Sequence, residues 1–123
     1  MTGRERGQAA VELALVLPLV VLLLLALVQL GLVVRDQILV VHAAREAARA
    51  AAVEPSPDAA SSAAADGSGL PASRLHVDVT GRAGPGSRVA VAVAYRAPTD
   101  VPLVGAALGD VTLRGRATMR VER

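Results

Sequence analysis

The hydrophobic and polar positions of this chain divide it into one long apolar run and several shorter patterned segments. Residues 13–34 form a run of about 22 uncharged residues, mostly Leu and Val, which is the length that a membrane helix needs. As an α-helix this run measures roughly 33 Å, close to the ~30 Å hydrocarbon core of a bilayer. The pattern therefore predicts one transmembrane helix near the N-terminus.

A cleaved secretory signal peptide is the alternative interpretation of this run, because Arg4 and Arg6 precede it. Signal peptides, however, have an apolar region of about 7–15 residues that is followed by a small-residue cleavage site. The run is longer here, and Arg35 and Asp36 follow it directly without a turn signal. The pattern favours a helix that stays in the protein.

The helix is expected to continue beyond the membrane as an amphipathic stalk, because residues 37–53 are rich in Ala and lack Pro and Gly. Polar residues at positions i, i+3, i+4 and i+7 place one stripe on this stalk: His42, Arg45, Glu46 and Arg49. Apolar residues fall mostly on its other faces: Ile38, Val41, Ala44, Ala48 and Ala51. One helix over residues 8–53 would span about 70 Å. Its small-residue face needs a partner, either the C-terminal domain or the helix of another subunit.

The second half of the chain predicts a linker and a small β-rich domain. Pro55 ends the helix, since the residue before a proline avoids helical geometry. Residues 54–73, composed largely of Ala, Ser, Gly, Pro and Asp, predict a flexible linker or a frayed short helix. Residues 74–123 contain three segments of alternating polarity, which begin at Leu75, Val89 and Val111. The resulting prediction is an α+β fold in which the long transmembrane helix and its stalk pack against a three-stranded antiparallel sheet.

The connections between these strands carry their own signals. Residues 81–87 predict a hairpin loop rich in Gly. Residues 98–109 predict a loop with one short helical turn, which either covers the sheet or dips to the membrane surface.

Composition excludes several classes of function. The 123-residue chain has no Cys, which rules out disulfides and thiolate metal sites. Its single Tyr, with no Phe or Trp, and its scattered arginines do not favour nucleic-acid binding. His42 and His76 lie in different predicted elements without a set of metal ligands. We therefore predict that the protein is not an enzyme and binds no metal, cofactor or nucleic acid.

Three residues interrupt the apolar run: Pro18, Gln29 and Gly31. Gln29 can form a hydrogen bond to a neighbouring helix, and Gly31 allows close approach between helices. Pro18 removes a backbone donor and is tolerated in a membrane helix, where it marks either an ordinary kink or a packing feature. We predict helix–helix packing at these positions.

A glutamate at the edge of the span is the most informative feature of the sequence. Gly7 is followed by Gln8, and Glu12 comes directly before the apolar run. An ionisable group in or next to hydrocarbon is costly, so Glu12 is a candidate functional residue. The alternative interpretation is that the Glu12 side chain merely extends to the membrane interface.

The segment from Arg6 to Leu13, with the His42–Arg49 segment after the span, resembles the TadE-like family of tight-adherence (Flp-type) pilus-assembly proteins. A tail ending in Arg120, Val121 and Glu122 fits the same resemblance. Residues 1–7 resemble the basic leader of a type IV-like prepilin. The resemblance implies that a prepilin peptidase cuts between Gly7 and Gln8, so that Glu12 becomes the fifth residue of the mature chain.

The resemblance also implies a function and a location. It points to a minor pilin-like subunit in the cytoplasmic (inner) membrane, with its N-terminus inside and its C-terminal domain outside. Its partners would be other pilin-like subunits, the pilus assembly machinery, the peptidase and membrane lipids. The alternative function is an unprocessed, single-pass anchor for an extracytoplasmic binding module, which would retain residues 1–7 and be indifferent to Glu12.

Overall fold

One long helix organises the whole molecule. The computed structural model describes residues 3–54, 56–81 and 84–121. Helix α1 runs over Gly3–Val53 and continues through Pro18. Of the predicted leader, residues 3–7 thus belong to the helix, whereas Met1 and Thr2 lie outside the described residues. The C-terminal end of α1 agrees with the helix predicted over residues 8–53.

A second helix lies within the segment for which the sequence predicts a linker or a frayed helix. Helix α2 covers Pro57–Ser68, with Pro57 in its first turn, where the missing N–H costs nothing. It ends at Gly69, which adopts a left-handed conformation (φ 75°) and donates its N–H to the carbonyl of Ala65 at 2.9 Å. A flexible linker is therefore the wrong alternative for residues 57–68, because α2 packs along α1.

Three antiparallel strands complete the fold in the order β1-β2-β3. After a 3₁₀ turn at Ala72–Arg74, β1 covers Leu75–Thr80, β2 covers Arg88–Ala97 and β3 covers Val111–Arg120. Helix α3, Val104–Leu108, lies between β2 and β3. Arg82, Ala83 and Glu122, which belong to the predicted hairpin loop and tail, lie outside the described residues.

The core lies between the helices and one face of the sheet. Helix α1 packs over β2 and β3, and α2 packs beside α1 over β1. Small residues of the helices meet valines of the central strand in this core, which includes Ala43, Ala47, Ala60, Ala64, Val89, Val91 and Val93. This arrangement confirms the predicted α+β fold. One stalk residue departs from the prediction, because Ile38 is 64% exposed.

We call the unit formed by α2, α3, the sheet and the Gln29–Val53 part of α1 the head. Its one tyrosine, Tyr95, is 3% exposed on the inner face of β2. Burial raises the pKa of Tyr95, and the nearby carboxylate of Asp36 raises it further, against the opposing effect of Arg74.

The pKa of Tyr95 gives a prediction for alkaline pH. The folded head holds the phenolic proton that the unfolded chain releases near the ordinary value of 10.0, so the free energy of unfolding should fall as pH rises beyond that value. Absorbance titration of the single tyrosine, folded and in urea, measures both pKa values. This fall in the free energy of unfolding should disappear in the Tyr95→Phe variant. Equal pKa values in the two states would contradict this prediction.

Candidate functional site: the bare helix and its junction with the head

The N-terminal half of α1 is exposed along almost its whole length. No residue of Gly3–Val28 is buried, and the first buried residue of α1 is Gln29. Large apolar side chains are exposed along this part, among them Leu15, Leu19, Leu23, Leu27 and Val28. We call residues 3–28 the bare segment. Such a surface needs lipid or another helix to cover it.

The predicted processing site lies at the start of the bare segment. Gly7 has no atom within 4 Å of the position where a Cβ would lie, so the chain around it is open. Gln8 and Glu12 are both exposed. Glu12 lies one helical turn beyond Gln8, and side chains at this spacing share a helix face. A positive charge at the backbone nitrogen of residue 8 would thus have a carboxylate on its own side of the helix.

The three residues that interrupt the apolar run do not share a single environment. Pro18 and Gly31 are exposed, and no atom comes within 4 Å of a Cβ built at Gly31. Gln29 is 2% exposed, and its Oε1 accepts a hydrogen bond from the backbone N–H of Val101 at 3.3 Å. Gly31 lies two positions further, roughly 200° around the helix, and faces away from the head. Gln29 therefore bonds within its own chain, whereas Pro18 and Gly31 stay available for packing against another helix.

The junction between the bare segment and the head was not predicted as a contact. Val101 belongs to the loop between β2 and β3, and it is 7% exposed. The amide Nε2 of Gln29 is buried and has no hydrogen-bond partner among the described residues. The sequence signal for this junction is the uncharged stretch 101–109, which is unusually apolar for a connection between strands.

The stalk carries its predicted polar stripe on the outside. His42, Arg45 and Arg49 are exposed, and Glu46 is half-buried. Glu46 approaches Arg49 at 3.8 Å, and a Cβ at Gly67 of α2 would lie 2.7 Å from the Glu46 Cγ. The close approach of Gly67 makes Glu46 part of the contact between α1 and α2.

The described residues contain no group of three or more His, Asp and Glu side chains placed to hold a metal ion. His76 approaches Asp78 at 3.2 Å on the solvent face of β1, where both side chains are exposed.

The fold and these sites define a class of protein: a single apolar helix that could span a membrane, carrying a small α+β head at its C-terminal end. A sequence model of the TadE-like protein family matches residues 7–49, a segment that lies wholly within α1. This match agrees with the resemblance to the TadE-like family that the sequence predicts, and the family suggests a Tad pilus-associated role. No curated protein sequence and no solved structure matches the chain.

Proposed function

We propose that this protein is a minor pilin-like subunit that assembles with a tight-adherence (Flp-type) pilus. It is processed by a prepilin peptidase after Gly7 and acts by helix packing, without catalysis. The observation that carries this proposal is the bare segment, whose residues 7–28 lie within the TadE-like match. A helix with such an apolar surface is suited to lateral packing against similar helices in a membrane.

Local chain properties support processing at Gly7. Glycine in a helix interior is less favourable than alanine by about 1 kcal/mol, so Gly3 and Gly7 make the first turns of α1 easy to open. Neither glycine has a neighbouring atom within 4 Å of a built Cβ, which leaves space for a peptidase. Cleavage there would turn the Gln8 nitrogen into a charged α-amine.

The role of Glu12 follows from this new charge. An isolated charge is costly in a low-dielectric environment, and an opposite charge nearby offsets that cost. The Glu12 carboxylate can pair with the amine of its own chain, or with that of an adjacent subunit. An intermolecular pair would fix the axial register of neighbouring helices.

The proposed location is the cytoplasmic membrane, with the N-terminus inside and the head outside. Arginine counts do not decide this orientation, because Arg4 and Arg6 precede the span whereas Arg35, Arg45 and Arg49 follow it. The orientation rests on the resemblance. Partners in this setting are other pilin-like subunits, the assembly machinery and membrane lipids.

The experiment that tests the proposal compares pilus assembly in cells that carry Glu12→Gln with assembly in cells that carry Glu5→Gln. Both residues are glutamates at the N-terminal end of α1, and the proposed cleavage separates them. Assembly that depends on Glu12 and tolerates the change at Glu5 supports the proposal. Equal assembly in both would overturn the role of Glu12.

A further inference from the structure

The connection between β2 and β3, residues 98–110, meets α1 at the level of the predicted span. We call this connection the junction loop. Val101 of the loop donates its N–H to Gln29, and Gln29 lies about five residues, or roughly 7.5 Å along the helix, before Val34 ends the apolar run. The junction loop therefore contacts α1 within the apolar run, about five residues before the C-terminal end of that run.

The surface that the junction loop exposes is apolar. Leu103 is 66% exposed and Leu108 is 59% exposed. Pro102, Ala106 and Ala107 are exposed beside them, and no charged residue occurs between Asp100 and Asp110. The tip between Asp100 and Asp110 is therefore apolar and uncharged, and apolar area of this kind can be buried at the boundary between headgroups and acyl chains.

The backbone of the loop is largely satisfied from within. Val104 donates its N–H to Pro102 at 2.8 Å, Gly105 donates to Val101 at 2.8 Å, and Gly109 donates to Gly105 at 3.1 Å. The hydroxyl of Thr99 donates to the carbonyl of Gly109 and closes the base of the loop. Internal pairing of this kind is what irregular backbone needs near hydrocarbon, where water is scarce.

The loop is also tightly built, and it holds a leucine in a strained conformation. A Cβ at Gly105 would lie 1.8 Å from the carbonyl oxygen of Thr99, so the backbone segments touch. Leu103 has φ 69° and ψ −46°, at the centre of a γ-turn closed by the Val104 N–H. Such a conformation costs about 1–3 kcal/mol in a residue other than glycine. Backbone outliers of this kind cluster at functional sites.

We propose that the junction loop is a membrane-interface anchor, which inserts Leu103 and Leu108 at the boundary between lipid headgroups and acyl chains. Its occupant is the lipid that surrounds the span, because the loop is continuous with α1 at Gln29. The anchor seats the head directly on the membrane and sets how far the bare segment projects into it. The inference rests on α1 crossing a membrane, and it is independent of the proposed pilus function.

The absence of Trp from the chain permits a direct test. Full-length Leu103→Trp and Leu108→Trp variants are reconstituted in vesicles of phosphatidylcholine and phosphatidylglycerol, with matched vesicles of brominated lipids. Leu22→Trp, in the bare segment, is the control for the membrane interior. Ser61→Trp is the control for solvent. Ser61 is exposed, and it lies in the half of α2 that is nearer to the C-terminal end of α1.

Both loop variants should show blue-shifted emission relative to Ser61→Trp. They should be quenched more by bromines near the headgroup than by bromines near the chain end, and Leu22→Trp should show the reverse preference. If Leu22→Trp is quenched while both loop variants behave like Ser61→Trp, the anchor is overturned and the span is retained. Blue-shifted loop variants without lipid quenching would overturn it in favour of a protein contact. No quenching at any position would overturn the anchor together with the span.

Discussion

Replacing Glu12 with Gln is expected to abolish assembly of the pilus. The change keeps the size of the side chain and one acceptor oxygen and removes the charge, so the proposed α-amine of Gln8 loses its partner. Removing one member of a desolvated ion pair costs about 3–5 kcal/mol, because the other charge is left uncompensated. Each kcal/mol lowers an association constant about fivefold, so subunit contacts would weaken by roughly a hundredfold or more. Counts of surface pili by electron microscopy measure the effect.

The control for this prediction is Glu5→Gln, since processing would remove residue 5 from the mature subunit. Blocking cleavage provides a second comparison. In a chain that keeps residues 1–7 no charged amine exists at Gln8, and Glu12→Gln should then add no further defect. A Glu12→Gln strain that makes as many pili as the parent would contradict charge pairing and favour a side chain that merely extends to the interface.

Replacing Gly115 with Val is expected to cause a large loss of stability in the head. Gly115 of β3 lies against Val40 of α1, and a Cβ there would be 2.9 Å from the Val40 carbonyl oxygen and 3.2 Å from its Cγ1. The neighbouring contact, from Gln37 Nε2 to the Arg114 carbonyl at 3.0 Å, holds the same stretch of α1 against β3. A branched side chain must push the helix from the sheet, which should lower the free energy of unfolding by about 3 kcal/mol.

Urea unfolding of the detergent-solubilised chain, followed by near-ultraviolet circular dichroism of Tyr95, measures this loss. Gly84→Val is the matched control, because no atom lies within 4 Å of a Cβ at Gly84. We expect the control to stay within about 0.5 kcal/mol of the native chain. An equal effect of the two substitutions would show that close contact between Gly115 and Val40 does not hold α1 to the sheet.

Hydrophobic patterning was enough to predict the long helix and the strands. The run from Leu13 to Val34 and the Ala-rich stalk lack turn signals, and the structure has one continuous helix there. The three period-two segments became β1, β2 and β3, whose apolar side chains face the helices. The helix and the strands can be predicted because each depends on the spacing of apolar residues that are close together in the sequence, and periodicity reports this spacing.

Helix α2 was harder to predict because its buried stripe consists of small residues. Ala60, Ala64 and Ser68 face α1, and none of them produces the strong hydrophobic contrast that marks an amphipathic helix. The buried Ser68 hydroxyl donates to the Ala64 carbonyl at 2.6 Å and accepts the Leu70 N–H at 3.2 Å. Tertiary contact, which the sequence pattern does not reveal, decides that this segment packs as a helix.

The environment of Gln29 depends on a contact between distant parts of the chain. Its polar side chain in an apolar run indicated a hydrogen-bonding partner, and a neighbouring helix was the natural expectation. The structure instead pairs it with Val101, far along the sequence. Such a pairing requires the turn from β2 into the junction loop, whose direction cannot be derived from periodicity. Predicted roles for Pro18 and Gly31 in packing between subunits stay predictions.

The N-terminal residue of the membrane-extracted protein, compared in cells with and without the prepilin peptidase, is the decisive observation for a pilin-like subunit. Edman sequencing and intact mass identify this residue directly. We expect a chain that begins at Gln8 when the peptidase is present and at the original N-terminus when it is absent. A chain that retains residues 1–7 in both strains would contradict processing and favour a membrane-anchored binding module, in which the head carries the function.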